Sequence, residues 1–588
     1  MTNHTAVPRD RPDHATEEEA MAYRAPASDY VFLFDKVLGA DRLCTSERYA
    51  EATAETRSAI LAEAARLAED VLAPLQRAGD LHPARLENGV VRTTPGFADA
   101  YKAIAEGGWL GMTADPDHGG MGLPVILLNA VNEMMNAACM ALSLNPILTQ
   151  GQIEALENHA SPELQALYLP KLVTGEWSGT MNLTEPQAGS DVGALTTRAE
   201  PNGDGTYAIT GQKIYISWGD ADFMANICHL VLARLPDGAS GTKGISLFLV
   251  PKYLPDTQGA PGVANSLKVV SLEHKMGLHG SPTCVMQYDG ATGWLVGEEH
   301  DGMRAMFTMM NNARLAVGCQ GVAAADAACQ HALAFAVERR QGRTPTGDGR
   351  GTIIDHADVR RMLASMKART FAARAIASDC ALSIDMARAT ASAEWAARAA
   401  LLTPIAKAYG TDTGIEVASE GIQVHGGMGF VEETGAAQFL RDVRVTAIYE
   451  GTNGIQAMDL VARKMSDGGA AARGLLGEVR ETANAAREAL PRKAALLEEA
   501  VVRLEEATAA LLELDLNDRF AGAVPYLRAF ALVLGGHYHL RAALADEQRL
   551  ALARVFFRRS LPAVAGLCEE AVGGAEDLYA LSSDDLAA

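Results

Sequence analysis

Glu450 is the residue whose neighbours most clearly prepare it for chemistry. It stands between Tyr449 and Gly451 in R-D-V-R-V-T-A-I-Y-E-G-T-N-G-I-Q (441–456), at the head of the turn Gly451-Thr452-Asn453-Gly454. About twenty-five residues earlier lies a second glycine-rich turn, Gly426-Gly427-Met428-Gly429, within Q-V-H-G-G-M-G-F (423–430). Glycines let main-chain amides approach a large ligand with no Cβ in the way. Thr452 is placed to N-cap a helix running through Ile455, Met458 and Leu460. Glu450 then stands in a loop just before a helix start, aimed at whatever the glycines cradle. A carboxylate kept from water in an apolar slot has its pKa raised and can act as a base toward a carbon acid. Taken alone, the same residues also describe two ordinary helix-capping turns and a solvated glutamate.

The elements that must position such a site are legible in outline. Residues 1–20 read as a loosely held polar tail, followed by an aromatic and apolar segment, M-A-Y-R-A-P-A-S-D-Y-V-F-L-F (21–34). From Tyr49 to about Gly175 the pattern is helical, with Ile60, Ala64, Leu67 and Val71 on one face. Asn202-Gly203-Asp204-Gly205 is a hairpin turn, and 206–218, 242–250 and 266–272 have strand composition, so a small antiparallel β-domain is expected. Long Ala-rich helices follow at 314–339, 355–391 and 395–424, the first two joined by a polar loop from Gln341 to Gly351. Gly468-Gly469 is a linker. Leu497, Val501, Leu504 and Leu511 then fall on one face of an amphipathic helix, with Thr508 among them, and 520–545 and 547–572 read as two more helices.

Bulk composition narrows the class. At 588 residues several domains are expected, and 48% hydrophobic with 21% charged residues describes an ordinary globular protein. A net charge of −22 argues against nucleic acid as partner. The eight cysteines form no C-x-x-C pair, which fits free thiols in a reducing compartment, and no histidine grouping has metal-ligand spacing. No secretory signal and no membrane span is read, Leu123–Leu128 being too short, so the expectation is a cytoplasmic protein without metal.

The motifs carry a resemblance. Q-x-x-G-G-x-G-F followed by R-D-x-R-x-x-x-I-Y-E-G-T-x-x-I-Q strongly resembles the acyl-CoA dehydrogenases, and the similarity continues in family order from about Gly107 to Lys464. It implies an α+β multidomain fold: an N-terminal helical domain, a central β-barrel domain, a C-terminal four-helix-bundle domain and, here, a helical extension. The corresponding ranges are 1–48 for the N-terminal extension, then 49–175, 176–296 and 297–465, with 466–588 for the C-terminal extension. It further implies FAD as cofactor, an acyl-CoA thioester as substrate, an electron-transfer flavoprotein as acceptor, and Glu450 as the base.

Residue by residue, the resemblance assigns the rest of the site. Met181–Asp191 matches the family's T-E-P-x-A-G-S-D loop, with Leu183 and Thr184 at the flavin and Ser190 toward pyrophosphate or pantetheine. Gln212–Ser217 matches a strand that packs on the isoalloxazine, with Tyr215 where Trp is more frequent and Ser217 where Thr is. Asn311 and Arg314 match a helix lining the CoA side, beside Gly451; some relatives carry their base just before that Arg, where this chain has Ala313. Arg339 in R-R-Q-G-R resembles an R-x-x-F-G motif lacking its Phe. With Gln423, Gly426 and Gly427 it is expected to reach FAD across a homodimer interface, and Thr452 and Gly454 to complete the cofactor site. Three departures from shorter relatives, namely the 23–32 segment, the shortened R-R-Q-G-R and the long C-terminal region, resemble the dehydrogenases of 3-(methylthio)propanoyl-CoA in dimethylsulfoniopropionate breakdown. Medium- and long-chain acyl-CoA dehydrogenases and an acyl-CoA oxidase are the alternatives. A DNA-binding relative is disfavoured, because Arg549, Arg554, Arg558 and Arg559 are offset by Glu547, Glu569 and Glu570.

Overall fold

The computed structural model describes residues 23–345 and 351–588, leaving the side chain of Asn311 undescribed. The 1–20 tail and part of the Gln341–Gly351 loop therefore lie outside the described residues.

The first third is helical: α1 (Ala27–Phe32), α2 (Ala54–Arg66), α3 (Gln76–Leu81), α4 (Phe97–Glu106), α5 (Val125–His159) and α6 (Pro162–Val173), with a small hairpin of β1 (Arg85–Glu87) and β2 (Val90–Arg92). Thr53 caps α2 and Ser161 caps α6, each accepting a main-chain N–H three residues on. Helix α5 contains an apolar window with mean hydropathy 1.4, long enough to cross a bilayer, but every residue of that window is buried inside the protein. The 23–34 segment is no loose leader. Tyr30, Leu33 and Phe34 are fully buried, and Arg549 from the far end of the chain sits over the Phe32 ring and bonds Asp29 at 2.6 Å.

The sheet comprises β3 (Trp177–Asn182), β4 (Arg198–Pro201), β5 (Tyr207–Ser217), β6 (Asn226–Arg234), β7 (Ile245–Pro251), β10 (Leu267–Leu272) and β11 (Thr283–Val296), with β8 (Tyr253–Pro255) and β9 (Pro261–Ala264) forming a separate ribbon. Strand β7 pairs with both β6 and β11, so β11-β5-β4-β6-β7 close on themselves, with β10 and β3 added at the edges. The expected antiparallel domain is corrected to a mixed one: β3 runs parallel to β6 from Trp177↔Asn226 onward, and β4 meets β6 in parallel at Arg198↔Arg234. The reason is connectivity. Strand β3 enters from α6 and leaves through the long 183–195 loop, so no tight hairpin dictates its direction. The Asn202–Gly205 turn does join β4 and β5 antiparallel.

The bundle is built from α7 (Gly302–Glu338), α8 (Ala357–Thr390) and α9 (Ala393–His425), then α10 (Ala436–Val443) and α11 (Asn453–Asp459). Helices α7 and α9 cross in main-chain contact. A Cβ added at Gly318 would lie 2.6 Å from the Ala406 carbonyl oxygen, and one at Gly321 2.2 Å from that of Gly410. Only glycine fits such a crossing, and it sets Lys407 against Gly318, one turn along α7 from Arg314.

The extension runs through α12 (Ala470–Ala485), α13 (Pro491–Glu513), α14 (Leu516–Ala521), α15 (Ala523–Ala545), α16 (Leu550–Arg559) and α17 (Val564–Ala571). The α13 stripe of Leu497, Val501, Leu504 and Leu511 is fully buried, and Thr508 bonds the Tyr526 hydroxyl at 2.8 Å. Helix α15 lies on α8, where His539 Nε2 meets the Ala368 carbonyl at 3.0 Å and Tyr538 donates to Asp379. Two expected helices are corrected in extent. The 520–545 helix starts at Ala523, and the 547–572 segment is divided around Pro562, which cannot donate to the preceding turn.

Candidate active site

The segment leading to Glu450 is clamped to two other domains. Arg441 grips Asp80 with both terminal nitrogens (2.7 and 2.6 Å) and reaches Glu432 at 2.8 Å. Its neighbour Asp442, buried, accepts the Leu278 N–H at 2.6 Å, while Gly277 brings the barrel against the Arg441 carbonyl, 2.4 Å from where a Cβ would stand. The R-D pair of the motif is thus a fastener between the bundle, the N-terminal domain and the barrel.

Beyond it the chain makes a short turn and reaches Glu450 in the left-handed region, φ +56°. A non-glycine residue held there is strained by about 1–2 kcal/mol. Thr452 then caps α11, its hydroxyl accepting the Ile455 N–H at 3.3 Å, as its position in the sequence suggests. Gln456 donates to the Glu450 carbonyl at 3.1 Å. Among the described residues nothing accepts from the Glu450 N–H. Part of Glu450 reaches the surface, but its carboxyl sits deep enough that burial raises its pKa to about 7, against the opposing charges of Arg314 and Lys407. Arg314 is 6% exposed and faces Asp459 at 3.6 Å. Lys407 is fully buried and donates to the Gly451 carbonyl and to Asn453 Oδ1, each at 2.9 Å. Tyr449 donates to Gln320, which continues through Asn136 (3.3 Å) and the Asn132 carbonyl, and Asn132 donates to Gln150, a file of buried amides behind Glu450.

A second group forms on the barrel. The Ile214 N–H bonds the Thr184 carbonyl at 2.9 Å, joining the Leu183–Ser190 loop to β5. Opposite, the register of β11 slips between Cys284 and Met286. The slip and a φ of +61° at Tyr215 turn that ring outward, 61% exposed, while Lys213 and Ile216 both point in. Ser217 and Thr184 are half-buried beside it, Ser190 is exposed, and at Gly189 a Cβ would meet nothing within 4 Å. Beneath the loop, Lys213 bonds Glu185 Oε1 (2.7 Å) and the Leu183 carbonyl (3.0 Å).

A third group stands apart. Arg339 and Gln423 are exposed at the ends of α7 and α9, and Gly426 and Gly427 have open space where a Cβ would be. His425, buried between them, stacks on Phe335 and His331 with ring centroids 4.4 and 4.8 Å away. Arg339 lies twenty-five positions after Arg314 on α7, a run of about 37 Å along a helix axis. One chain therefore does not bring this group to Glu450. Around it Met428 and Phe430 are 43% and 88% exposed, with Leu333 and Val337 also uncovered.

The sequence reading did not single out Lys407, Asn453, Gln320 or Lys213. For Gln320 and Lys407 the signal was a lone polar side chain in an otherwise small and apolar stretch, as in A-K-A-Y-G (406–410). An uncovered aromatic face next to half-buried hydroxyls, with bare main chain at Gly189, fits a flat heteroaromatic cofactor carrying polar edges.

Family models match the chain in this order: acyl-CoA dehydrogenase N-terminal domain over 54–176, middle domain over 180–291, C-terminal domain over 300–465, and an acetyl-CoA dehydrogenase C-terminal-like domain over 475–582. A 3-methylmercaptopropionyl-CoA dehydrogenase of Ruegeria pomeroyi is 45% identical over 90% of this chain and 92% of its own length. A broad-specificity linear acyl-CoA dehydrogenase of Mycobacterium tuberculosis is 35% identical over 83% of each. In fold, the chain is similar to Caenorhabditis elegans ACDH-11 in complex with C11-CoA (TM-score 0.78, 21% identity, 94% and 93% covered). It is also similar to an acyl-CoA dehydrogenase from Bacillus anthracis complexed with FAD (0.73, 21%, 95% and 94%).

Proposed function

The chain belongs to the acyl-CoA dehydrogenase family, and we propose that it uses FAD to oxidise 3-(methylthio)propanoyl-CoA to 3-(methylthio)acryloyl-CoA, a step of dimethylsulfoniopropionate breakdown. The observation that carries the chemistry is Glu450: a carboxylate in a strained loop at a helix start, with its pKa raised to about 7 by burial. The methylthio substrate rests on the 45% identity to the Ruegeria pomeroyi enzyme.

In this reading Leu183, Thr184, Tyr215, Ser217, Thr452 and Gly454 would hold the cofactor. Arg339, Gln423, Gly426 and Gly427 come from a partner subunit, because their distance from Glu450 along the helices keeps them from the same chain's base. Bound FAD supplies the acceptor for the hydride that leaves Cβ of the acyl group, and an electron-transfer flavoprotein removes the electrons afterwards. Glu450 takes the pro-R α-proton. A base near pH 7 is ionised in a useful fraction and still basic enough to share that proton in the transition state. The Glu450 N–H donates to the thioester oxygen, where charge grows as the α-proton leaves. Ser190, Asn311 and Gly451 lie along the CoA side, and Arg314 acts from beneath, where its charge favours ionised Glu450.

The test is anaerobic bleaching of the flavin with 3-(methylthio)propanoyl-CoA, butyryl-CoA, octanoyl-CoA and palmitoyl-CoA, run on the wild type and on Glu450→Gln. Bleaching by the first thioester at the highest kcat/KM, lost in Glu450→Gln with FAD retained, is expected. Preference for a straight-chain thioester would transfer the assignment to fatty-acid oxidation, and oxygen uptake during turnover would make the protein an oxidase. Flavin reduction in Glu450→Gln near the wild-type rate would move the base elsewhere.

A further inference from the structure

Lys407 sits on α9 among small and apolar residues, Ile405-Ala406-Lys407-Ala408, at the crossing of α9 with α7, its Cα 3.1 Å from where a Cβ on Gly318 would stand, and no part of it reaches solvent. Its ammonium has two polar partners, the Gly451 carbonyl and Asn453 Oδ1, each at 2.9 Å. Both belong to the turn that begins at Glu450. Asn453 is itself fixed, its amide donating to Asp412 Oδ1 at 2.6 Å and to the Thr411 hydroxyl at 3.0 Å. Lys407 thus fastens the turn to a bundle helix from below.

The charges facing Glu450 come from several elements and are not equivalent. Helix α7 supplies Arg314, which faces Asp459 of α11 at 3.6 Å, and Asp459 also holds Arg463 at 2.5 Å. Helix α9 supplies Lys407 and, farther along, Asp412, whose carboxylate is taken by Asn453. Tyr449 brings a hydroxyl committed to Gln320. Arg314 therefore shares its charge with a carboxylate, whereas among the described residues no carboxylate comes within salt-bridge distance of Lys407. A buried cation without a paired anion lends its field to the nearest group able to become one. Here the carboxylates whose charge acts on Lys407 are Glu450 first and Asp412 second.

We infer that Lys407 is a positioning residue: it holds the Gly451–Asn453 turn and supplies positive charge that keeps Glu450 ionised for proton abstraction. The inference rests on the reading of Glu450 as the base and assigns the group that sets its ionisation. Burial pushes Glu450 up to about 7 and Lys407 down to about 8, while each charge favours the other. Between those values carboxylate and ammonium coexist. Removing the ammonium leaves burial less opposed, so Glu450 is ionised only at higher pH.

The experiment is the pH profile of kcat/KM for FAD-loaded enzyme with 3-(methylthio)propanoyl-CoA, in the wild type, Lys407→Met, Lys407→Arg and Asn453→Ala. In Lys407→Met the acid limb moves up by about one pH unit, so activity at pH 6 falls about ten-fold further than at pH 8.5. In Lys407→Arg the limb stays within about half a unit of the wild type. Asn453→Ala removes an acceptor but no charge, so its rate falls equally at all pH and its limb stays in place. Lys407→Gln, which keeps a donor for the Gly451 carbonyl without the charge, serves as the neutral variant if Lys407→Met does not fold. A neutral variant that binds FAD, melts near the wild type and keeps the wild-type limb overturns the inference. Glu450→Gln separates the two readings. If it is inert while the limb of the neutral Lys407 variant is unmoved, only the role of Lys407 fails; if it reduces flavin, the base assignment fails first.

Discussion

Replacing Lys213 with methionine tests what holds the cofactor loop. Lys213 is fully buried, Glu185 is 3% exposed, and the lysine bonds both Glu185 and the Leu183 carbonyl. The carboxylate also receives the Thr196 N–H (2.7 Å) and hydroxyl (2.9 Å), the Thr197 N–H (3.0 Å) and the Gln187 amide (2.7 Å). These donors and the ammonium hold Glu185 well below the ordinary carboxylate range even though burial opposes it, while burial drives Lys213 down to about 8. Desolvation of the two buried charges offsets their attraction, so the intact pair contributes little net stability. Removing one partner is different. An unpaired buried charge costs about 3–5 kcal/mol in general, and about 2–3 kcal/mol here because the other donors remain. If the loop transmits half of that loss to the cofactor, FAD binding weakens about ten-fold. Thermal melts and FAD titration of apoprotein read the two effects separately. Lys213→Met should melt several degrees lower and bind FAD more weakly. Lys213→Met with Glu185→Gln should recover most of the melting temperature and part of the affinity, since no buried charge is left but the Leu183 carbonyl still lacks its donor. Wild-type FAD affinity in the single variant would refute the positioning role, and a double variant no more stable than the single would refute the charge argument.

Three further outcomes follow from the same structure. Because burial raises Glu450 to about 7 and a base must be ionised, kcat/KM should fall about ten-fold per pH unit below 7 and level off above it, and a flat profile between pH 5.5 and 7 would contradict this. Gly277→Ala places a Cβ 2.4 Å from the Arg441 main chain, so it should destabilise by about 1–3 kcal/mol and slow turnover by displacing the segment that leads to Glu450; an unchanged melting temperature and rate would contradict the fastening role. The extension buries its α13 stripe internally and lays α15 over α8, while Phe430, Met428, Leu333 and Val337 stay uncovered near Arg339, so light scattering should give a homodimer of about twice 62.2 kDa, and a tetramer mass would refute a capping role for the extension.

The parts legible in the sequence were those whose cause is local. Thr452 caps its helix and the Asn202–Gly205 turn makes its hairpin because each depends on a few neighbouring residues. The α13 stripe could be read because its burial follows from helical period alone. What could not be read depends on distant partners. The direction of β3 is set by a crossover, and the outward turn of Tyr215 by a slip against β11, about seventy positions away. The fate of the 23–34 segment is set by Arg549 and by Arg374, whose guanidinium lies over the Tyr30 ring and bonds Glu133 at 2.6 Å. No periodicity reports such contacts.

The site itself divides along the same line. Glu450 stood out from the glycines and the helix start beside it, and the family resemblance made it the expected base, but the level of its pKa depends on Arg314 and Lys407, more than forty positions away in sequence. Those two side chains meet it because glycines on α7 and α9 allow the helices to touch. The crossing glycines therefore act on the chemistry without approaching a substrate: widen the gap by one Cβ, and the cations shift relative to the carboxylate they stabilise. The buried amide file from Gln320 to Gln150 works in the same sense, fixing Tyr449 so that the strained φ of Glu450 is held against relaxation. The raised pKa of Glu450 is in this protein a property of helix packing as much as of the loop that carries it.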